Sequence, residues 1–256
     1  MDSLILVVAL GAVVAGFVQG LSGFAFGMTA MSFWAWSVDP RLAAAMTVFG
    51  ALTGQLVAAV TMRRGFDLRR LWPFLLGGLA GIPLGVALLP ALDVPVFKAA
   101  MGGLLVVWCP LMLAARRLPR IASGGRVIDT VADGAAGLVG GLMGGLGGFT
   151  GVVPTLWCTL RGWDKDAQRS VIQNFNLAAL LVTMGLYLQR GILTRAMWPM
   201  LAVVAAAMLI PTLLGTRLYA GVSEARFRTV VLVLLTASGV ALLASSVPQL
   251  LMRAAA

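Results

Sequence analysis

The sequence predicts an all-α polytopic membrane protein made of two inverted repeats, each a glycine-rich broken or re-entrant helical hairpin followed by three transmembrane helices. Three observations predict it. Of 256 residues, 60% are hydrophobic and only 11% charged, and the mean hydropathy is +0.98, which leaves too little polar surface to coat a water-soluble globule. Charge-poor stretches cover approximately 4–38, 42–62, 71–92, 96–115, 131–160, 171–189, 196–216 and 230–251, and several reach the roughly 20 residues that a helix needs to cross a bilayer. A glycine-dense apolar segment also occurs twice, with Gly16, Gly20, Gly23 and Gly27 recurring as Gly137, Gly141, Gly144 and Gly148 at a spacing of 121.

The duplication continues downstream. The two Trp-Pro dipeptides, Trp72-Pro73 and Trp198-Pro199, lie 126 apart, as do Gly65 and Gly191. Ile82-Pro83 pairs with Ile210-Pro211 and Phe97-Lys98 with Phe227-Arg228, so the spacing drifts upward through small loop insertions. Residues 1–116 form the first membrane repeat, 117–128 a basic cytoplasmic linker and 129–256 the second repeat.

The first element, about Leu4 to Val38, would make a helix of about 50 Å against a hydrocarbon core of about 30 Å. Split at its glycines, it gives two limbs of roughly 17 residues, which suits a broken hairpin. The second glycine-rich element carries seven glycines between Gly140 and Gly151, each costing a helix about 1 kcal/mol relative to alanine. Close helix packing through small-xxx-small spacing, as in Gly16/Gly20 and Gly144/Gly148, is the competing explanation. The density favours a backbone break, which only protein or a water-filled cavity tolerates at membrane depth. By the 121 spacing, bulky Phe24 and Phe26 of the first segment stand where the second has Gly145 and Gly147. The later spans carry Pro73, Pro83, Pro199 and Pro211 as kinks, and Trp72 and Trp198 suit interfacial anchors.

Basic residues set the orientation. Arg63, Arg64, Arg69 and Arg70 crowd one loop, and Arg116, Arg117, Arg120 and Arg126 crowd the connection between halves. If the second glycine-rich segment returns to its own side, fourteen of the 19 basic residues lie inside, including Arg161, Lys165, Arg169, Arg217, Arg226 and Arg228; if it crosses once, eleven do. The larger bias favours return, with both termini outside. The halves then have an odd number of full crossings and are inverted, an arrangement that transporters use with broken helices.

Several function classes drop out. The chain has no histidine, which removes Ser-His and Cys-His nucleophiles and His-ligated zinc. Cys109 and Cys158 lie in apolar segments and read as small hydrophobes rather than a disulfide or metal site. The net charge of +10 reflects membrane topology, not nucleic-acid binding. Met1-Asp2 opens without the basic region of a secretory signal, so the first segment is expected to remain in the mature protein. No acidic residue sits at mid-membrane; Asp129 and Asp133, where the second hairpin begins, come closest.

Polar side chains in apolar segments are candidate ligands because each is costly in hydrocarbon without a partner. They are Gln19, Ser22, Thr29, Thr47, Thr53 and Gln55 in the first half and Thr150, Thr155, Gln173, Asn174 and Asn176 in the second. Serine and threonine can satisfy themselves on the preceding turn; amides cannot do so easily, so Gln19 and Asn174 stand out as anion donors, with interhelical bonding as their alternative role. Helix starts freed by the breaks attract an anion without a buried cation.

The run from Gly16 to Gly27, GFVQGLSGFAFG, the second run from Gly137 to Gly148, GLVGGLMGGLGG, with Pro154 after it, and the paired later prolines together resemble the TauE/SafE sulfite exporter family of bacterial membrane permeases over nearly the whole chain. The resemblance implies a multi-pass protein of the bacterial cytoplasmic (inner) membrane that moves sulfite, sulfoacetate or another small sulfur-containing or organic anion, outward, by alternating access. The expected substrate-binding residues are Gln19, Ser22, Gly23, Phe24, Gly144, Gly147, Gly148, Thr150 and Asn174, with no catalytic residue, metal or cofactor. Expected partners are a small anionic substrate and the lipid bilayer, not nucleic acid, with a homodimer left open. Cation-coupled uptake of the same anions, a channel, a lipid-phosphate enzyme using Asp133 and Ser22, and a non-transporting assembly protein are the alternatives.

Overall fold

The structure is a computed structural model that describes residues 2–23, 25–61, 65–114, 120–218 and 224–254, without the side chains of 2, 165, 218, 224–228 and 254. Phe24, Arg63, Arg64, Arg116 and Arg117, and the side chains of Lys165, Arg226, Phe227 and Arg228, therefore lie outside the described residues. Among the described residues ten α-helices carry the fold: α1 Asp2–Ser22, α2 Phe26–Trp34, α3 Pro40–Thr61, α4 Leu68–Leu88, α5 Val94–Ala114, α6 Arg126–Gly147, α7 Val152–Leu160, α8 Lys165–Gln189, α9 Trp198–Leu218 and α10 Glu224–Ala254. There is no strand among the described residues. Eight of these helices are long and apolar enough to cross a bilayer, and the chain is a multi-pass membrane protein; α2 and α7, with nine residues each, are too short to cross.

Both glycine-rich segments break, but not into equal limbs. The first divides into 21 and 9 residues and the second into 22 and 9, rather than two limbs of about 17. Each long limb ends at a glycine in the left-handed region, Gly23 (φ 83°) and Gly148 (φ 79°). The amide of each closes the last turn, Gly23 N donating to Gln19 O and Gly148 N to Gly144 O, both at 2.7 Å. This is the left-handed termination that glycine makes cheap.

These two breaks correct the register of the duplication. Gly23 and Gly148 lie 125 apart, and at that spacing Gly20-Leu21-Ser22-Gly23-Phe24 matches Gly145-Leu146-Gly147-Gly148-Phe149. The spacing of 121 is short by four residues, about one helical turn. Glycines recurring along one helix face go on matching after a slip of that size, so both registers align glycine with glycine. Phe24 corresponds to Phe149 and not to Gly145.

Each short limb runs back along its long one. Trp34 Nε1, at the end of α2, donates to Val8 O near the start of α1 at 3.3 Å. Trp157 Nε1 in α7 donates to Asp133 Oδ1 in α6 at 2.6 Å, and Pro154 lies against Gly140.

The halves interlock through glycine seams. Helix α6 packs on α4 and α1 on α9, while α5 packs on α10. A Cβ at Gly77, Gly81 or Gly85 would overlap the carbonyl oxygens of Gly134, Leu138 and Leu142 in turn, and one at Gly16 or Gly20 would press on Met208 O or overlap Thr212 O. Residue numbers rise together along both seams, so α4 runs with α6 and α1 with α9. Gly16, Gly20, Gly77, Gly81, Gly85, Gly137, Gly141 and Gly145 thus serve close backbone approach, whereas Gly23 and Gly148 end the long limbs at the breaks. Outward faces carry Leu76, Leu84, Ile210, Leu214 and Leu234, all exposed, as lipid contact requires. Trp72 and Trp198 are exposed near the starts of α4 and α9.

Candidate functional site

The interior of the bundle is where the two breaks meet. Helix α2 restarts after Ala25 and α7 after Gly151, and neither start has a side-chain cap. Phe26, Gly27, Met28 and Val152 are buried, so the opening turns of both helices face protein rather than water. Uncapped starts leave N–H groups without an intrahelical acceptor and concentrate positive dipole charge.

Each break is met by a crossing helix of the other half. A Cβ on Gly23 would lie 3.3 Å from Gln173 Nε2 of α8, and a Cβ on Gly148 would lie 3.3 Å from Thr47 Cγ2 and from the backbone of Val48 in α3. Within the first half, Gln55 Nε2 donates to Gly23 O at 2.6 Å and Gln19 Nε2 to Ala51 O at 3.0 Å. The Phe149 ring fills the space between Gly27 and Gly147. Thr150 Oγ1 donates to Asn176 Oδ1 at 2.8 Å.

The expected site residues divide into three groups. Gln19, Gly23, Gly148 and Thr150 come together around the breaks, with Gln19 Oε1 buried and without a hydrogen-bond donor. Gly144 and Gly147 line the second hairpin from within, against the Thr150 methyl and the Phe149 ring. Ser22 is exposed, and its Oγ accepts from Ala25 N at 3.2 Å, so it fastens the first break. Phe24 lies outside the described residues. Asn174 is placed differently: its Nδ2 donates to Gly65 O at 3.0 Å and to Ser170 O at 2.7 Å, which uses both amide hydrogens. It ties α8 to the α3–α4 loop and has no donor left for an anion.

Gln173 and Asn176, candidates by sequence but not among the expected substrate-binding residues, lie on either side of Asn174 and are 5% and 1% exposed. Their spacing of three, one helical turn on one face, was the available signal, because Asn174 falls outside that stripe. The Trp157–Asp133 bond had no local signal, since its partners lie 24 residues apart.

Charge sits at the ends of the elements, not at the breaks. Asp129 holds Arg161 through both carboxylate oxygens, Oδ2 at 2.8 Å from Nη2 and Oδ1 closer still to Nη1, and this pairing raises the Arg161 guanidinium above its ordinary value. Asp164 Oδ1 caps α8 by accepting from Ala167 N at 2.8 Å, which holds that carboxyl below the usual carboxylate range. No group of three potential metal ligands occurs among the described residues. A cavity of about 160 Å³ between α4 and α8 is lined by Leu75, Ile82, Phe175 and Ala179; it is apolar and offers an anion nothing.

A family model described as Sulfite exporter TauE/SafE matches residues 8–242 of this chain. No curated protein and no solved structure gives a significant match.

Proposed function

The chain belongs to the TauE/SafE family of membrane transporters, and on that premise we propose that it carries a small sulfur-containing or organic anion, such as sulfite or sulfoacetate, out across the bacterial cytoplasmic membrane. The observation that carries this reading is the pair of uncapped, buried helix starts after Ala25 and Gly151. Two positive dipole ends solvate an anion without a buried cation; at α7, where Val152 N donates to Phe149 O and Pro154 has no N–H, the dipole and the Val153 amide carry that role.

The mechanism we infer is alternating access between inverted repeats with re-entrant hairpins. What supports it is the direction of the helices. Each short limb returns along its long limb, α1 runs with α9, and α4 runs with α6. Helices α3 and α4 are antiparallel, since Arg41 Nη2 reaches Pro90 O. The hairpins then enter from opposite sides and their breaks cross near the middle. Rocking one repeat against the other exposes the breaks to either side in turn. A monovalent anion leaving a negative interior gains about 2.3 kcal/mol per 100 mV, so export needs no coupling ion.

Flux of sulfur-35 sulfite in proteoliposomes under an imposed potential of either sign tests the reading, with a panel of small organic anions beside it. Saturable flux that follows the sign of the potential is the expected result. Vesicles that match protein-free ones for every anion would remove transport.

A further inference from the structure

We propose that Thr47 and Gln173 are the equivalent specificity-determining side chains of the transported anion's site, one presented to each break by the opposite half. The inference deepens the reading of a small-anion carrier and rests on it.

Three observations converge. The first is symmetry. Gln173 lies 126 residues after Thr47, the same spacing that relates α7 to α2 and Trp198 to Trp72. The first half's break at Gly23 faces Gln173, and the second half's break at Gly148 faces Thr47. The duplication therefore presents one polar side chain to each break, from equivalent positions of α3 and α8.

The second is an unmet hydrogen-bonding group. Thr47 is fully buried, and its Oγ1 has no partner. A helical threonine can donate to the carbonyl four residues back, as Thr53 does to Phe49 O at 2.9 Å and Thr61 to Val57 O at 2.8 Å in the same helix. Thr47 does not. Thr29, Thr155, Thr183 and Thr212 share its unmet state, but of these only Thr47 is placed against the glycine of a break in the other half. A buried hydroxyl without a partner is costly, and valine would fill the same space without that cost. The group is explained if a ligand completes it during transport.

The third is position. The Thr47 methyl lies near both Gly27, in the first turn of α2, and Gly148, at the second break; Cβ atoms built there would be 3.1 and 3.3 Å away. Its hydroxyl, on the same carbon, therefore sits beside the uncapped start of α2. Among the described residues the polar groups that meet the two breaks are neutral: Gln173 and Gln55 at the first, and Thr47 and the Thr150–Asn176 pair at the second. Neutral donors and helix dipoles suit a small oxyanion of low charge, whose several oxygens take one donor each.

The test is sulfur-35 sulfite flux into proteoliposomes, or flux of the panel anion that the wild type carries, with KM and maximal rate measured for wild type, Thr47→Val, Thr47→Ser, Gln173→Leu and Asn174→Ala. Thr47→Val keeps the methyl contacts and removes only the hydroxyl. The expected result is a KM about tenfold higher in Thr47→Val, as for loss of one hydrogen bond to a charged ligand, with the maximal rate changed much less. Thr47→Ser restores KM, Gln173→Leu raises it, and Asn174→Ala leaves it unchanged. Wild-type KM in Thr47→Val, or a rise equal in Thr47→Ser, overturns the inference while leaving transport intact. No flux of any anion in the wild type overturns the transport reading and this inference together.

Discussion

The two hairpins share a backbone plan and differ in how their open ends are fastened. In the first, the returning limb is held by Trp34, whose indole donates to the backbone carbonyl of Val8. In the second, Trp157 donates to the carboxyl of Asp133, and Asp133 lies 125 residues after Val8, at the equivalent position of the long limb. The second hairpin alone adds the Asp129–Arg161 pair across its mouth. The comparison teaches that this architecture demands a donor–acceptor staple between the limbs but not a particular acceptor. Where a side chain supplies the acceptor, polar chemistry has gathered around it, on the side that also holds Arg70 and Arg161.

The breaks differ too, and this gives the largest expected effect. Alanine at Gly148 or Gly23 would adopt a left-handed backbone at a cost of about 1–2 kcal/mol. At Gly148 the new methyl also meets the Val48 backbone, whereas at Gly23 it meets only the movable end of Gln173. Gly148→Ala should therefore lower the unfolding temperature in detergent clearly more than Gly23→Ala. Equal losses would mean that the two breaks are confined alike.

A smaller difference is expected at the staples. Trp157→Phe leaves a buried carboxyl without the indole donor, costing about 1–3 kcal/mol. Trp34→Phe leaves a carbonyl that belongs to the α1 helix ladder, and its hydrogen-bond share should be nearer 0.5 kcal/mol. Thermal unfolding of the two variants, with Trp157→Phe also measured in an Asp133→Ala background that removes its acceptor, separates the side-chain staple from the lost ring area. If the Trp157→Phe cost is the same in the Asp133→Ala background, the carboxyl is not the staple's acceptor in solution.

Much of this was legible in sequence because membrane helices announce themselves by length and apolarity, and because a duplicated chain repeats its landmarks. Trp72-Pro73 and Trp198-Pro199 mark α4 and α9 correctly. The breaks were less legible, since the same glycines serve two purposes. Gly16, Gly20 and Gly141 let helices touch, Gly23 and Gly148 end helices, and only backbone conformation separates the two uses. That ambiguity carried the register one turn off and hid the match between Phe24 and Phe149. The polar residues at the breaks were legible in sequence as a set, but which of them share a face was not. Asn174 drew attention as an amide, while its neighbours Gln173 and Asn176 point inward, and which of three adjacent polar residues faces the core depends on the helix's rotation against α3 and α4.

The central claim is that two equivalent halves enter the membrane from opposite sides, and the loops after the hairpins test it most directly. Single cysteines placed at Asp39, just before α3, and at Asp164, just before α8, in a Cys109→Ala, Cys158→Ala background, are labelled with an impermeant maleimide in intact cells and in inverted vesicles. The account predicts Asp39→Cys labelled only from outside and Asp164→Cys only from inside. Labelling of both positions from the same side would contradict it.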